Sequence, residues 1–346
     1  MTAVADAEPS VRLTPETVAE YLHDRGEVES PVVDVTPLGG GVSNAVLRVE
    51  TEETCLVCKQ PYPNLEVADD WPADIGRIHN EAKATEVYGE IIEQAGLENV
   101  SVPRVVFEDR EAHVVGIECV PASATNWKAA LLEGRVELNI AHLLGELLGA
   151  VHRLATEDDA LREAFADPIP FDQLRVDPYH RAVARRHPDL SSEIQAEIDR
   201  LGSSRQTLVH GDYSPKNVLV EAQRDRIWVL DFEVAHWGDP AFDVAFMCNH
   251  LLLKSLHNPA AGTAYVDAID TFRRAYAGET PWDCEHETVT ELGVLLLARV
   301  DGKSPVEYLD EATAAAVRSL GRTILSRDIE TVADVLALAA EERDRL

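Results

Sequence analysis

Residues 207–233 read TLVHGDYSPKNVLVEAQRDRIWVLDFE, and three polar side chains inside this stretch organise the rest of the chain. Asp212 is followed five residues later by Asn217 and fourteen residues after that by Asp231. Between the last two, NVLVEAQRDRIWVLD is a pair of apolar runs around a polar turn, the pattern of a hairpin that returns the chain to where it started. Phosphoryl transfer needs a carboxylate to orient an acceptor hydroxyl or accept its proton, together with hard oxygen ligands for Mg²⁺. Asp212 and Asn217 on one loop can supply the base and one ligand. Asp231, at the end of the returning strand, can supply a second.

Upstream, Thr14 and Pro15 open a short helix expected to run to Asp24. Strand-like runs follow at PVVDVTPL, VSNAVLRVE and TCLVCKQ, then a helix expected over 75–94, then strands at VPRVVFED and AHVVGIECV. After Pro121 the apolar spacing turns helical, first in NIAHLLGELLGAVHRL and then through much of 240–342. This predicts a small antiparallel sheet lobe over 1–120, with 1–10 a loose acidic tail, and a mostly helical lobe over 121–346. The chain crosses between them near 118–124.

The segments HGDYSPKN (210–217) and LDFEVAHWGDPAFDVA (230–245) resemble the aminoglycoside phosphotransferase and choline kinase family, distant relatives of protein kinases. The resemblance implies an α+β, protein-kinase-like bilobal fold and an ATP-dependent kinase using Mg²⁺. It makes Asp212 the catalytic base and Asn217 and Asp231 the metal ligands. His210 would brace the loop, Asp243 would tie it down, and Lys216 would offset charge on the moving phosphoryl group. Glu233 would touch metal-bound water or the acceptor, or make a structural hydrogen bond.

In LGGGVSNAVLRV, the backbone of Gly39, Gly40 and Gly41 with Ser43 and Asn44 would approach phosphates. Lys59 ends the next strand, where the family places the lysine that grips the α- and β-phosphates. Glu81 in the following helix is its natural ion-pair partner, with Glu86 the alternative. Backbone groups at Glu118 and Val120, in the hinge Glu118-Cys119-Val120, would meet adenine.

The stretch KQPYPNLEVADDWPADIGRIHNEAKA (59–84) resembles methylthioribose kinases and places Trp71 in a loop over the ATP site. Asn217 and the DFE triplet differ from the pattern of those enzymes. The acceptor expected is therefore a small sugar-like metabolite, either methylthioribose or another pentose derivative. Near the end, LLLARVDGKSPVEYL sets Arg299 and Lys303 in a turn after a helix, with Asp301 and Ser304 beside them. If these two cations face the cleft, a pentose already bearing phosphate, such as ribose 1-phosphate, becomes attractive. If they do not, they neutralise a helix C-terminus. Arg273 and Arg274 fit a solvated helix face. An amino-alcohol or aminoglycoside kinase and a non-catalytic nucleotide-binding regulator remain as the other classes.

The net charge of −31 over 346 residues argues against a nucleic-acid or anionic-membrane partner. Carboxylates are dispersed along the chain and lysine occurs at only six positions, a surface suited to a salt-loving cytoplasm. MTAVADAEPS lacks the basic region and apolar run of a signal peptide, and no stretch reaches the roughly 18 apolar residues of a membrane span. Five cysteines without framework spacing suggest reduced thiols and a cytoplasmic protein. Cys55 and Cys58 form a CxxC, but on a strand they face opposite sides and suit no shared metal.

Overall fold

The computed structural model describes residues 11–39, 41–67, 70–222 and 225–346. Six short strands open it: β1 (Val32–Pro37), β2 (Asn44–Thr51), β3 (Cys55–Pro61), β4 (Val100–Ser101), β5 (Val105–Asp109) and β6 (Val114–Glu118). All but β4 join one antiparallel sheet in the order β1-β2-β3-β6-β5. Two-residue alternation decides what each face of this sheet meets. On one face Leu47, Val49, Leu56 and Cys58 pack with Val18 and Leu22 of helix α1 (Val18–Arg25). On the other, Val57, Val115 and Ile117 meet Ile78 and Ala82 of helix α2 (Arg77–Ala95). Lys59 follows Val57 in phase and so points toward α2, where Glu81 lies on the same helix face as Ile78 and Ala82.

The helical half begins with β7 (Thr125–Asn126), α3 (Trp127–Leu132) and α4 (Leu138–Thr156). The apolar spacing read in 139–154 becomes the buried face of α4, with Ile140, Leu144, Leu147, Leu148 and Val151 inside. The helix over 240–257 is buried from Pro240 to Leu256, as an all-round apolar helix must be. Strand β8 (Thr207–Val209) leads into the HGD loop. The expected hairpin follows as β9 (Val218–Glu221) and β10 (Arg226–Val229), with Val218 opposite Val229. Strand β11 (His236–Gly238) then pairs with β8, so Asp212 follows a strand tied to β11, and Asp231 follows a strand held between β4 and β9.

Two features escaped the sequence reading. β4 pairs in parallel with β10, Val100 opposite Ile227, and stitches the first half of the chain to the hairpin. The expectation of reduced thiols is also corrected, because Cys55 and Cys119 form a disulfide with Cα atoms 5.5 Å apart. The β3–β6 register, Leu56 opposite Glu118, sets these two residues side by side although 64 positions separate them in sequence. Cys58 faces the other way, free and buried. Among the described residues, no helix is long and apolar enough to cross a membrane.

The Phe107 ring of β5 lies against Gly116 of β6, where an added Cβ would stand 2.1 Å from the ring. Gly116→Ala should therefore lower stability by about 1–3 kcal/mol, the usual range for overpacking. An unchanged urea-unfolding midpoint would show that the sheet tolerates the methyl group.

Candidate active site

The HGD loop is held from below by one carboxylate. Asp243, fully buried in the first turn of the 240–257 helix, accepts the His210 N–H at 2.6 Å and the Gly211 N–H at 2.8 Å. Gly211 adopts φ +77°, and a Cβ there would stand 2.8 Å from the Val234 carbonyl oxygen, so the turn requires glycine. His210 is fully buried, accepts the Asp212 N–H at its Nδ1 (3.1 Å), and packs on Tyr88, Tyr213 and Phe232.

This geometry presents Asp212, 3% exposed, to three donors. Its Oδ2 lies 2.8 Å from Asn217 Nδ2, 2.9 Å from Lys216 Nζ and 3.1 Å from Arg175 Nη2. Burial pushes the Asp212 carboxyl up, but the Arg175 and Lys216 charges outweigh it and hold the group below the ordinary carboxylate range. Asp212 is therefore an anion at neutral pH, able to accept a hydrogen bond from a hydroxyl.

Across from it, Lys59 Nζ lies 2.9 Å from Asp231 Oδ1 and also pairs with Glu81. Glu86 is exposed and takes no part. Burial lowers the Lys59 ammonium, yet the Asp231 and Glu81 charges overcome it and keep the lysine protonated. Asp231 is driven the other way: burial raises it, and Lys59 and Lys216 more than reverse that, leaving it ionised. Its backbone sits at φ +73°, a left-handed conformation that costs a non-glycine residue about 1–3 kcal/mol and is characteristic of functional sites.

Above Asp231 lies a cleft of about 260 Å³ with apolar walls: Leu38, Val46 and Val57 from the sheet, Leu219, Leu230 and Phe232 from the helical half. Lys59, Glu81 and Asp231 stand at one side of it, and Glu118, Cys119 and Val120 line the cleft as well. Gly39 follows Leu38, and neither Gly39 nor Gly41 has atoms crowding its Cβ position. Gly40 lies outside the described residues. Ser43 Oγ accepts from Asn44 Nδ2 at 3.2 Å.

The structure sorts the remaining expectations. Of the two readings of Glu233, the hydrogen-bonded one is seen: its Oε2 accepts from Arg77 Nε (2.9 Å) and Asn44 Nδ2 (3.0 Å). Trp71 does not line this cleft. It is buried with Leu65, Leu174 and Val234, and its Nε1 donates to the Gln173 carbonyl at 2.9 Å. Lys303 is paired with Asp177 at 2.9 Å, so it offers no free charge, and its Nζ lies 5.9 Å from the Trp71 ring centre. Arg299 donates to Tyr179 Oη (3.2 Å) and Ser304 Oγ (3.3 Å). Arg273 pairs with Glu285 near the surface, as a solvated helix face suggests.

Two arginines were missed. Arg175 lies in a π-helical stretch (Asp172–Arg181) and donates to the Gly211 carbonyl at 2.7 Å as well as to Asp212. π-Turns often mark functional positions, but nothing local in the sequence announces this one. Arg77 is 1% exposed and directs donors to Glu233 and to the carbonyls of Ser43, Tyr62, Ala73 and Asp74.

Residues 34–278 match the family model described as APH, the phosphotransferase enzyme family. The chain belongs to that family. This phosphotransferase is 24% identical over 359 residues to a methylthioribose kinase of Bacillus cereus (strain AH820), covering 88% of each chain. It is 26% identical over 275 residues to the methylthioribose kinase of Bacillus cereus (strain B4264), covering 70% of this chain and 67% of the relative. A solved structure from Ralstonia eutropha JMP134, assigned as an aminoglycoside phosphotransferase, shares the phosphotransferase fold. Its TM-score is 0.51 at 14% identity, covering 96% of this chain and 99% of that one.

Arg77→Lys replaces five fixed donors by three and leaves buried acceptors unpaired, each costing about 1–3 kcal/mol. The variant should unfold at clearly lower denaturant than the parent. Equal midpoints would remove Arg77 from its place as a structural clamp.

Proposed function

We propose that this phosphotransferase moves the γ-phosphoryl group of ATP to a hydroxyl of a small sugar-like metabolite. The acceptor we favour is a pentose derivative such as ribose 1-phosphate or methylthioribose. One observation carries the reading: Lys59, braced by Glu81, reaches Asp231 beside an apolar cleft, while Asp212 is held ionised on the adjoining loop. The cleft, between the lobe 1–120 and the lobe 121–346, would take the base, with Glu118 and Val120 at its edge. The turn 39–44 would lie along the phosphates.

The oxygen donors of Asn217 and Asp231 suit a hard cation, and the strained, ionised Asp231 fits a ligand for Mg²⁺. Bound there, the ion would neutralise charge on the β- and γ-phosphates. Lys59 presents its ammonium to the α- and β-phosphates. Asp212 accepts the hydrogen bond of the acceptor hydroxyl and takes its proton as that oxygen attacks the γ-phosphorus. Arg175 fixes the Asp212 carboxylate, and Lys216 offsets charge beside it. Catalysis in this scheme is positioning together with charge stabilisation.

The methylthioribose kinase relatives support a sugar acceptor. Arg175 and Lys216 beside Asp212 count against a cationic amino-alcohol or aminoglycoside, which they would repel. A binding-only regulator has no use for a shielded, ionised Asp212. The reaction belongs in the cytoplasm, where ATP is supplied.

Asp212→Asn should lower kcat by about 10²–10⁴-fold while nucleotide affinity, read by calorimetry, stays within a few-fold. Equal losses of turnover and affinity would count against its role as base. Lys59→Ala should raise the KM for Mg-ATP and lower kcat together, and parental turnover in that variant would end the phosphate-grip assignment.

A further inference from the structure

The 240–257 helix carries an anomaly that the site described above does not use. Lys254 is 1% exposed, and its Nζ donates only to the His250 carbonyl one turn back, at 3.1 Å. Among the described residues no carboxylate pairs with it. An ammonium buried without a counter-charge is costly, so the fold keeps Lys254 at the expense of stability.

Its neighbours deepen the anomaly. Lys254 Nζ lies 5.4 Å from the centre of the Tyr308 ring, and Lys128 Nζ lies 5.9 Å from the same ring. Two ammonium groups thus share one aromatic side chain, whose own hydroxyl is buried without a partner. Arg299 adds a third cation, with its Nε likewise buried and unpaired. The nearby carboxylate of Glu307 is taken by Lys128 at 2.6 Å. Burial, followed by the charges of Lys128 and Arg299, lowers the Lys254 ammonium to about 7. Burial also holds His250 well below its ordinary range, helped by Lys254, Arg299, Lys216 and Lys128.

One element ties the cluster to the site already described, since the 215–217 turn carries Lys216, the residue that contacts Asp212. Helix α3, which carries Lys128, packs against the 215–217 turn of the same loop. None of Lys128, His250, Lys254, Arg299 and Tyr308 lines the nucleotide cleft. The excess positive charge therefore abuts the loop that carries the proposed base, apart from the nucleotide. Buried N–H and O–H donors with surplus positive charge call for an oxyanion.

We propose that Lys254 and Arg299, with the Tyr308 hydroxyl, form a subsite for a phosphate monoester already carried by the acceptor, with Lys128 and its partner Glu307 at its rim. This rests on the kinase reading above and narrows its substrate to a pentose monophosphate, for which a neutral thioether sugar is a poor substitute. In the reaction the acceptor oxygen forms a bond to the γ-phosphorus as the bond to the ADP oxygen breaks. Asp212 receives the hydroxyl proton, and the products are ADP and a sugar bisphosphate. The reaction that consumes this product must act on a doubly phosphorylated pentose.

The test compares ribose 1-phosphate, ribose and methylthioribose as acceptors with Mg-ATP in concentrated potassium chloride, using the full chain. Ribose 1-phosphate should give a kcat/KM at least a hundredfold above either neutral sugar. Lys254→Met should raise the KM for ribose 1-phosphate at least tenfold more than the KM for Mg-ATP, and Lys128→Gln should do so to a smaller degree. Because Lys254→Met removes an unpaired buried charge, its Tm should not fall. On the parent protein alone, inorganic phosphate should raise Tm, and Lys254→Met should abolish that rise. Turnover of the neutral sugars at rates equal to the phosphorylated one overturns the subsite while leaving the kinase reading intact. Failure of all three acceptors, with no Tm response to phosphate, overturns the subsite and the pentose reading together.

Discussion

The contact on which the rest of the structure depends is the reach of Lys59 from the sheet to Asp231. It joins three parts of the chain that are far apart in sequence: strand β3, helix α2 through Glu81, and the end of the β9–β10 hairpin. Each partner makes the others tolerable. Lys59 stays charged despite burial because two carboxylates face it, and Asp231 holds an unfavourable backbone conformation with an ammonium in front of it. Such a buried charge set contributes little net stability, since desolvation opposes the attraction. What it supplies is a defined arrangement of charge beside the cleft.

The second half of the site shows the same economy of anchors. Asp243 holds two backbone N–H groups of the HGD loop, Arg175 holds the Gly211 carbonyl, and Asn217 and Lys216 return to Asp212 from the following turn. The loop is thus over-determined from three sides. Its glycine and its buried histidine are consequences of how closely Val234 and Phe232 approach.

Much of this was legible where the signal is local. The hairpin after Asn217, the alternation that sends Lys59 toward α2, and the long apolar face of α4 can all be read from a few consecutive residues. So could the order of Lys59, Glu81, Asp212, Asn217 and Asp231. The failures share one cause, pairing across large sequence separations. Cys119 finds Cys55 only through strand register, and Arg77 meets Glu233 across 156 positions. Arg175 reaches the HGD loop from a π-helical stretch, and Trp71 turned out to bind Gln173 rather than line the cleft above Asp231. Lys254 was invisible for a different reason. A lysine in LLLKSLH reads as a solvated helix position, and only the packing of helices against both sides reveals that it is buried.

Arg77 has a mechanical consequence for the molecule. Its guanidinium grips the carbonyls of Ser43 and Tyr62, just outside the ends of the interior strands β2 and β3, and the carboxylate of Glu233, two residues beyond Asp231. The β2–β3 end of the sheet and the segment after Asp231 are thereby riveted together. Any motion that parts these two segments must first strip a buried guanidinium of its partners.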